Sequence, residues 1–435
     1  MKKISPFLIL FFLFLSPSKA QAFNIQWFDD FQDPNLKKYV LMAIEQNKDV
    51  EIARKNILKY RQEKNLSLSK LFPELNVGAN YALLKIPASS IPNTDIQPNS
   101  FILPFNFNWE LDYLLKNYNR VEQAKLDIEN SILELESTGL ITATDTASAY
   151  FNVSNLNKQI EEGEKILTYN KKIYEAYKKM LKIGAVNIVE VNLKEENFLN
   201  SLNNLNNLKK QRGVFLTNLA YLTGNSPYNL DEMEITPIDK INFKGNYPEN
   251  LSGSVICNRP DIKKLENEIK KAKIDITIAK KDFLPKITVI GVMSFSTIVQ
   301  NFGWDGVFAA LLAGATQNIF DGGKRIFNFK LSKVEYETKI ENYLKADLNA
   351  LKEVNESLYT LKKDKESLLN GEKMVLLAKN NFIKAHREYN FGKKSYLYYL
   401  DENNTFINSN MNYYNLKNQN FINLISLYKA VGGAL

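Results

Sequence analysis

The residues that could carry enzyme chemistry are few. The 435-residue chain has one histidine, His386, and one cysteine, Cys257, which excludes His/Cys metal clusters, Cys–His nucleophile pairs and an internal disulfide framework. A carboxylate-bound metal stays possible. His386 is predicted to be a surface residue of a polar helix and Cys257 an unpaired thiol in a linker. No catalytic residue and no cofactor are predicted.

One short motif invites comparison with a phosphate-binding loop. Gly322-Gly323-Lys324 lacks the upstream glycine and the following Ser or Thr that such a loop needs, so it predicts a tight turn between a strand and a helix. Asp321 precedes this turn. We expect the Asp321 carboxylate to cap the helix that follows, through the N–H groups of its first turn.

The amino terminus has the pattern of a secretory signal. Lys2 and Lys3 precede an unbroken apolar run from Phe7 to Leu15, and small-x-small cleavage patterns end at Ala20 and Ala22. The run is too short for a membrane-spanning helix, which needs about 20 residues. We expect residues 1–22 to be removed and the mature chain to lie outside the cytosol. Its mild positive charge makes nucleic acid an unsuitable partner.

Two stretches with almost no charge predict β-hairpins. Asp95 is the only charged residue in 86–109, and Asp305 is the only one in 287–320. Apolar and polar residues alternate with period two, less cleanly in the second stretch, which indicates strands with one apolar and one polar face. The predicted strands are about 74–84, 100–112, 286–299 and 307–320, with a turn at 303–306. Each has roughly the 10 residues that a tilted membrane-spanning strand needs, although soluble hairpins on a core are the alternative.

The chain repeats itself at an interval of about 210 residues. Ile183-Gly184 corresponds to Phe391-Gly392, and Thr223-Gly224 to Val431-Gly432, both at an offset of 208. Each half is predicted to form a helix, two strands, a very long helix, a glycine-marked break and another long helix. The first repeat covers 23–224 and the second 259–435. An irregular linker, 225–258, joins them.

Proline positions and apolar spacing predict very long helices. No proline lies between Pro104 and Pro227 or after Pro285, and proline costs about 3 kcal/mol in a helix interior. Leu114 to Ile183 and Lys324 to Phe391 carry narrow apolar stripes at near-heptad spacing, with Lys, Glu and Asn elsewhere. Such stripes indicate coiled-coil-like packing of long rods.

The predicted strands are too few to form a membrane barrel within one chain. In hydrocarbon every backbone N–H and C=O must be hydrogen-bonded, so an open four-stranded sheet is excluded there. Known outer-membrane barrels begin at eight strands. If the strands span a membrane, two or more chains must combine them, and an oligomer is therefore predicted.

Several segments resemble the duplicated signature of the TolC-type outer-membrane efflux protein family. They are Arg259–Ile262 with Ile276–Ile287, the turn Asn318–Arg325, and Tyr389–Gly392 with Leu397, Leu400 and Asp401 after it. The resemblance extends from about Asn35 to Gly433. It implies a mainly α fold with β structure, namely a homotrimer whose twelve-stranded β-barrel continues into a long periplasmic α-helical barrel.

The resemblance also implies a gate where the long helices turn. It places Gly184 and Gly392 at helix–helix turns at the periplasmic tip. Glu190 matches a position where the family has an acidic residue in constraining contacts, and Lys394 matches its basic partner. Pairing of Glu190 with Lys394 is one interpretation, and two solvated charges is the other.

Two further positions match acidic rings that the family can carry in its pore. Asp401 keeps one of these acids, whereas Tyr398 replaces the other. The expectation is a single ring of aspartates bordered by aromatic rings. The simpler alternative for Asp401 is a solvated charge on a helix.

The family's partners and role follow from the same resemblance. It implies an outer-membrane location with most of the chain in the periplasm, and docking onto a periplasmic adaptor and an inner-membrane pump or ABC exporter. The function would be a passive exit duct for small molecules or polypeptides, in tripartite efflux or type I secretion. An exported coiled-coil structural or adhesin protein is the alternative, but such a rod has no use for four membrane-length strands.

Overall fold

The computed structural model describes residues 24–83, 99–226, 228, 233–248, 251–296 and 307–433. They fall into two compact units. The sheet unit comprises 48–135 and 251–356, and the helical unit comprises the described parts of 1–47, 136–250 and 357–435. The fold is mainly helical with one antiparallel sheet, as predicted. The predicted signal peptide and the predicted turn at 303–306 lie outside the described residues.

The sheet contains five antiparallel segments in the order β1-β3-β4-β5, with β2 also paired to β3. Their bounds are β1 Glu74–Val77, β2 Asn80–Leu83, β3 Asn99–Leu111, β4 Lys286–Ser296 and β5 Val307–Thr316. Val77 faces Phe105 and Asn80 faces Ile102, so β1 and β2 keep one register against β3. They therefore act as a single strand interrupted at Gly78, whose N–H donates to the Pro104 carbonyl at 2.9 Å.

The last strand is shorter than the alternation of residues predicts. Thr316 pairs with Lys286 at the end of the β4–β5 ladder, and the residue before Lys286 is Pro285, which has no N–H to extend it. The chain leaves the sheet there, and Ile319 and Phe320 are almost fully exposed. Strand β5 therefore ends at Thr316 rather than near residue 320.

Helices precede and follow each pair of strands in the sheet unit. They are α2 (Lys48–Ser69), α5 (Pro260–Lys281) and the first parts of α3 (Lys116–Lys182) and α6 (Lys324–Asn390). Charged contacts join α5 to both long helices: Lys271 lies 2.5 Å from Asp127, and Glu268 lies 3.0 Å from Lys339. Burial raises the pKa of Glu268, but Lys339 and Lys271 outweigh it, so the net pKa is lowered.

The helical unit has an aromatic core near the amino terminus of the described chain. The helical unit consists of a 3-10 helix, Ile25–Phe31, with α1 (Pro34–Gln46), α4 (Ile188–Leu222), α7 (Tyr396–Ala430) and the remainder of α3 and α6. Trp27 stacks on Tyr428 with ring centroids 4.2 Å apart, and Phe31 and Phe421 meet edge to face. These rings are buried, so this is where the unit buries most of its large apolar side chains.

A row of amide side chains, the amide seam, joins α3 to α7 inside the helical unit. Asn155 Nδ2 donates to Asn415 Oδ1 at 2.8 Å, and Asn418 Nδ2 donates to Asn152 Oδ1 at 3.0 Å. Gln159 Nε2 donates to the Met411 carbonyl at 2.7 Å. Asn418 is buried, and its Oδ1 has no hydrogen-bond partner. Part of the contact between these long helices is therefore polar, whereas the stripes predicted an apolar one.

The apolar stripe of α6 is only partly covered. Val354 and Leu361 are buried, as a packing stripe requires, whereas Phe327, Leu331 and Val334 are 56–64% exposed. Leu348, farther along the helix, is 67% exposed as well, while the other three lie in its first three turns. Within its own unit, this end of the stripe has no apolar covering.

Candidate functional site

The register of the sheet divides its side chains by parity. Residues that face each other across antiparallel strands point to the same side, and successive residues point to opposite sides. Leu75 faces Phe107, Phe107 faces Gly291, and Gly291 faces Leu311. All paired residues are thus both odd-numbered or both even-numbered. We call the two sides the odd face and the even face.

The odd face is apolar from edge to edge. A Cβ on Gly291 would lie 3.1 Å from Phe107 Cβ and 3.4 Å from Leu311 Cδ1, so these side chains crowd together on one side. Leu75 and Leu311 are 70% and 73% exposed, and an apolar surface of this extent on a folded chain marks an interaction site. Its larger members on the described strands are Leu75, Val77, Tyr81, Phe101, Leu103, Phe105, Phe107, Trp109, Leu111, Ile287, Val289, Met293, Phe295 and Leu311.

The even face carries the polar groups of the sheet. On β1 to β3 it presents the amides of Asn76, Asn106 and Asn108. Glu110 and Lys286 also lie on this face, with their charged atoms 3.8 Å apart. Because these two charges and that of Glu74 are all on the even face, the sheet is suited to water on that side and to an apolar medium on the other.

The predicted strand-to-helix turn at 321–323 is present. Gly322 and Gly323 have φ values of +64° and +83°, which glycine adopts without steric cost. The Asp321 carboxylate accepts from the N–H of Gly323 at 3.1 Å and from Nε of Arg325 at 2.7 Å. It therefore holds the turn before α6, and it also accepts a backbone hydrogen bond from Arg325 in the first turn of that helix.

The pKa of Asp321 lies below its ordinary value. Partial burial raises this pKa, but the side-chain hydrogen bond and the charge of Arg325 outweigh it, with help from the backbone N–H groups of Arg325 and Gly323. Asp321 is therefore held as a carboxylate at neutral pH.

The counterpart of Asp321 in the first half of the chain also caps a helix. Asp112 accepts from the N–H of Asn117 at 3.0 Å and from that of Tyr118 at 2.8 Å, at the start of α3. Leu111-Asp112 corresponds in the sequence to Phe320-Asp321, at an offset of 209 residues. In both halves an aspartate therefore stabilises the step from strand to helix.

Gly184 ends α3 and Gly392 ends α6 by the same geometry. Their φ values are +70° and +67°. Gly184 N–H donates to the Leu181 carbonyl and Ala185 N–H to the Met180 carbonyl, both at 3.0 Å, which is the Schellman arrangement of a helix end. Gly392 repeats it with the carbonyls of Tyr389 and Glu388.

Glu190 belongs to a capping box at the start of α4. Its carboxylate accepts from the N–H of Asn187 at 2.8 Å, and the Asn187 side chain accepts from the N–H of Glu190 at 2.9 Å. Lys394 has a different neighbour, since its Nζ lies 5.0 Å from the ring centroid of Tyr398. The structure brings Lys394 and Tyr398 together but not Glu190 and Lys394.

Tyr398 and Asp401 lie in the first turns of α7. The pKa of Tyr398 is raised, first by partial burial and then by the charges of Glu402 and Glu388. Asp401 is exposed, and its backbone carbonyl accepts from Thr405 at 3.0 Å. In a single chain its carboxylate therefore meets solvent.

Sequence reasoning missed an aromatic cluster beside the α6–α7 turn. Tyr389, Tyr396 and Tyr399 lie with ring centroids 5.3–6.0 Å apart. His386 is exposed as predicted, but its ring lies 5.2 Å from that of Tyr399 and stacks on Phe382. The aromatic residues are visible in the sequence on both sides of the turn, but only the geometry of the turn shows that their rings meet.

Comparison with known proteins gives a family match and several relatives of similar length. Residues 40–225 and 251–433 match the outer membrane efflux protein family. Over 415 residues the chain is 22% identical to the cation efflux system protein CusC of Escherichia coli O157:H7, covering 94% of this chain and 88% of that protein. It is also 22% identical to the toxin and drug export protein A of Aggregatibacter actinomycetemcomitans over 397 residues, which are 90% of this chain and 85% of that one.

A solved structure shows the same fold. The Campylobacter jejuni CmeC outer membrane channel superposes with a TM-score of 0.85 at 22% identity, covering 95% of this chain and 89% of that chain. The family match takes in both long helices and both pairs of strands. The chain therefore belongs to the outer membrane efflux protein family and is a protein of the cell outer membrane.

Proposed function

We propose that three copies of this chain form an outer-membrane exit duct. The observation that carries the proposal is an open sheet with one uncharged apolar face. In the part of the chain that the structure describes, β1 and β2 pair only with β3, and β5 pairs only with β4. Both outer edges would be unsatisfied in hydrocarbon, so they must pair with other chains.

The number of strands supports a trimer. With β1 and β2 acting as one strand, each chain contributes four, and three chains contribute the twelve strands of the barrel that the family resemblance implies. Strand β5 of one copy would then pair with β1 and β2 of the next. The exposed end of the α6 stripe, including Phe327 and Leu331, offers an apolar surface for a neighbouring helix in the same assembly.

The duct is proposed to be passive and gated where the long helices turn. Gly184 and Gly392 would lie at the periplasmic tip, with Asp401 forming a ring of three carboxylates bordered by Tyr398. The tip would dock onto a periplasmic adaptor and an inner-membrane pump or ABC exporter. The names of the relatives, which specify cation efflux and toxin and drug export, support a role in efflux or secretion of small molecules or polypeptides.

The test is the state of the protein purified from outer membranes. Native mass spectrometry in detergent should show three chains, and gel migration should change on heating. Because Cys257 is an exposed free thiol, a Cys257→Ser variant should show the same number of chains. This result would exclude oligomers linked by a disulfide bond. A stable monomer, or a protein found only in soluble fractions, would contradict the proposal.

A further inference from the structure

The even face has an apolar patch that its polar neighbours do not predict. On β4 and β5, Ile290 faces Leu312 and Val292 faces Ala310, and Phe308 lies on the same face of β5. Ile290, Phe308 and Leu312 are 45%, 63% and 66% exposed. These five residues are the even-face patch, and they explain why the second hairpin alternates less cleanly than the first.

The patch lies among hydrogen-bonding groups, and the charged residues of this face, Glu74, Glu110 and Lys286, lie together at one end of the strands. Asn106 faces Val292 and Asn108 faces Ile290 across the β3–β4 ladder. The charges of Glu110 and Lys286 on this face are paired, and Glu74 adds one negative charge. The surface therefore combines alkyl and aromatic groups with uncharged amide donors and acceptors.

The position of the patch follows from the assignment of the two faces and so rests on the proposed function. If the uncharged odd face meets lipid, the even face lines the water-filled interior of the barrel. Three copies would repeat the patch three times around the wall. Any cargo that passes the barrel must pass this wall.

We propose that the even-face patch transiently binds organic molecules that have an apolar body and are uncharged or carry a single charge, and that such molecules are the cargo class of this duct. Contact with Ile290, Phe308 and Leu312 removes apolar surface of the cargo from water, which is favourable. The neighbouring amides hydrogen-bond its polar groups. A hydrated metal ion gains nothing from an alkyl wall, because it would have to lose water without receiving a ligand.

The experiment uses two probes that have the same charge and different apolar area. Single-channel recordings of the purified full-length protein in planar bilayers should show stronger block by tetrabutylammonium than by tetramethylammonium. In the variant Ile290→Asn/Leu312→Asn the ratio of the two blocking affinities should fall about fivefold or more, since apolar contact area is lost. Block by tetramethylammonium itself should change little.

Leu311 provides the matched control because it is the sequence neighbour of Leu312 on the opposite face. Leu311→Asn should leave the blocking ratio as in wild type and reduce the amount of protein inserted into membranes. An unchanged ratio in the Ile290→Asn/Leu312→Asn variant would overturn the patch as a binding surface. If instead Leu311→Asn alters the block and the Ile290→Asn/Leu312→Asn variant inserts poorly, the assignment of the two faces is overturned. Failure of the wild-type protein to insert into the bilayer would refute the exit duct itself.

Discussion

The glycines that end α3 and α6 are required by backbone conformation alone. Gly184 and Gly392 have positive φ values, and a Cβ built on either one would meet no atom within 4 Å. A substitution there is therefore costly only because L-residues disfavour the left-handed region. Gly213, inside α4, also has open space around it but has an ordinary helical backbone.

This contrast gives a prediction for two alanine substitutions. Gly184→Ala should destabilise the protein by roughly 1–2 kcal/mol, because alanine is strained at φ +70°. Gly213→Ala should stabilise it by roughly 0.5–1 kcal/mol, since alanine lowers the entropy lost on helix formation. Thermal unfolding followed by circular dichroism measures both. A lower Tm for both variants would show that packing around the glycines, and not backbone conformation, decides the effect.

Asp321 supplies a pH-dependent contribution to the turn before α6. Its pKa in the folded chain is lowered from 3.8, so the unfolded chain binds the proton more tightly. The stabilisation is therefore fully present above about pH 4 and is lost as the pH falls through the folded pKa. Asp321→Asn should lower the Tm at pH 7, and the difference from wild type should shrink below pH 4.

Arg325→Met provides the matching variant, since it removes the partner that lowers the pKa of Asp321. It should lower the Tm at pH 7 and show the same loss of effect in acid. A Tm difference that stays constant from pH 7 to pH 3 would contradict the role of the ion pair.

Among the elements, the amide seam between α3 and α7 has the most specific energetic consequence. Asn418 is buried and donates to Asn152, which is half-buried. Asn152→Leu would leave the Asn418 amide without any partner and should cost about 1–3 kcal/mol. Asn418→Leu should cost less, because Asn152 can still reach water.

The double variant Asn152→Leu/Asn418→Leu tests whether the pair is coupled. Replacing both amides by apolar groups of similar shape removes the unpaired group, so much of the loss should be recovered. A double-mutant cycle on Tm or on urea unfolding measures the coupling. Strict additivity of the two single changes would show that the hydrogen bond in the seam contributes nothing.

The sequence predicts the class of each element better than its partners. Period-two alternation and the absence of proline are local properties, so strands and long helices can be inferred from them. The end of β5 at Thr316 could not be inferred from β5 itself, because it is determined by Pro285, the residue just before the facing strand β4. The Asn152–Asn418 contact was equally hidden, since asparagine on a long helix usually indicates a solvated face and only the register of α3 against α7 buries it.

The candidate site was predictable to a similar degree. The glycine-marked helix ends follow from the repeated spacing at 208 residues, which needs no tertiary information. The contacts of Glu190 and Lys394 depend on the folded structure. Glu190 contacts Asn187, and Lys394 contacts Tyr398. A ring of Asp401 residues requires three chains and stays a prediction.

At the scale of the whole assembly, Asp401 is the residue whose removal should change conduction. Three carboxylates converging on one axis attract cations, and a multivalent cation is attracted more strongly than a monovalent one. Asp401→Asn is nearly isosteric and should remove most of the cation preference and of the multivalent block. Planar-bilayer recordings of ion selectivity on wild type and variant measure this.

Glu402→Gln is the matched control, because it neutralises the next carboxylate on α7. It should leave selectivity near the wild-type value, and native mass spectrometry should show trimers for both variants. Equal selectivity of wild type and Asp401→Asn would return Asp401 to the role of a solvated helix charge.

The open space around Gly184 and Gly392 means that the turn of the backbone and the surface next to it depend on different residues. Main-chain hydrogen bonds close each turn, and a Cβ at either glycine would meet no other atom, so the side chains of Ala185 and Lys393 are not needed to close it. They can be exchanged without redirecting the helices. A protein with such turns can adjust the surface at its helix ends to a new partner, one residue at a time, while its architecture stays constant.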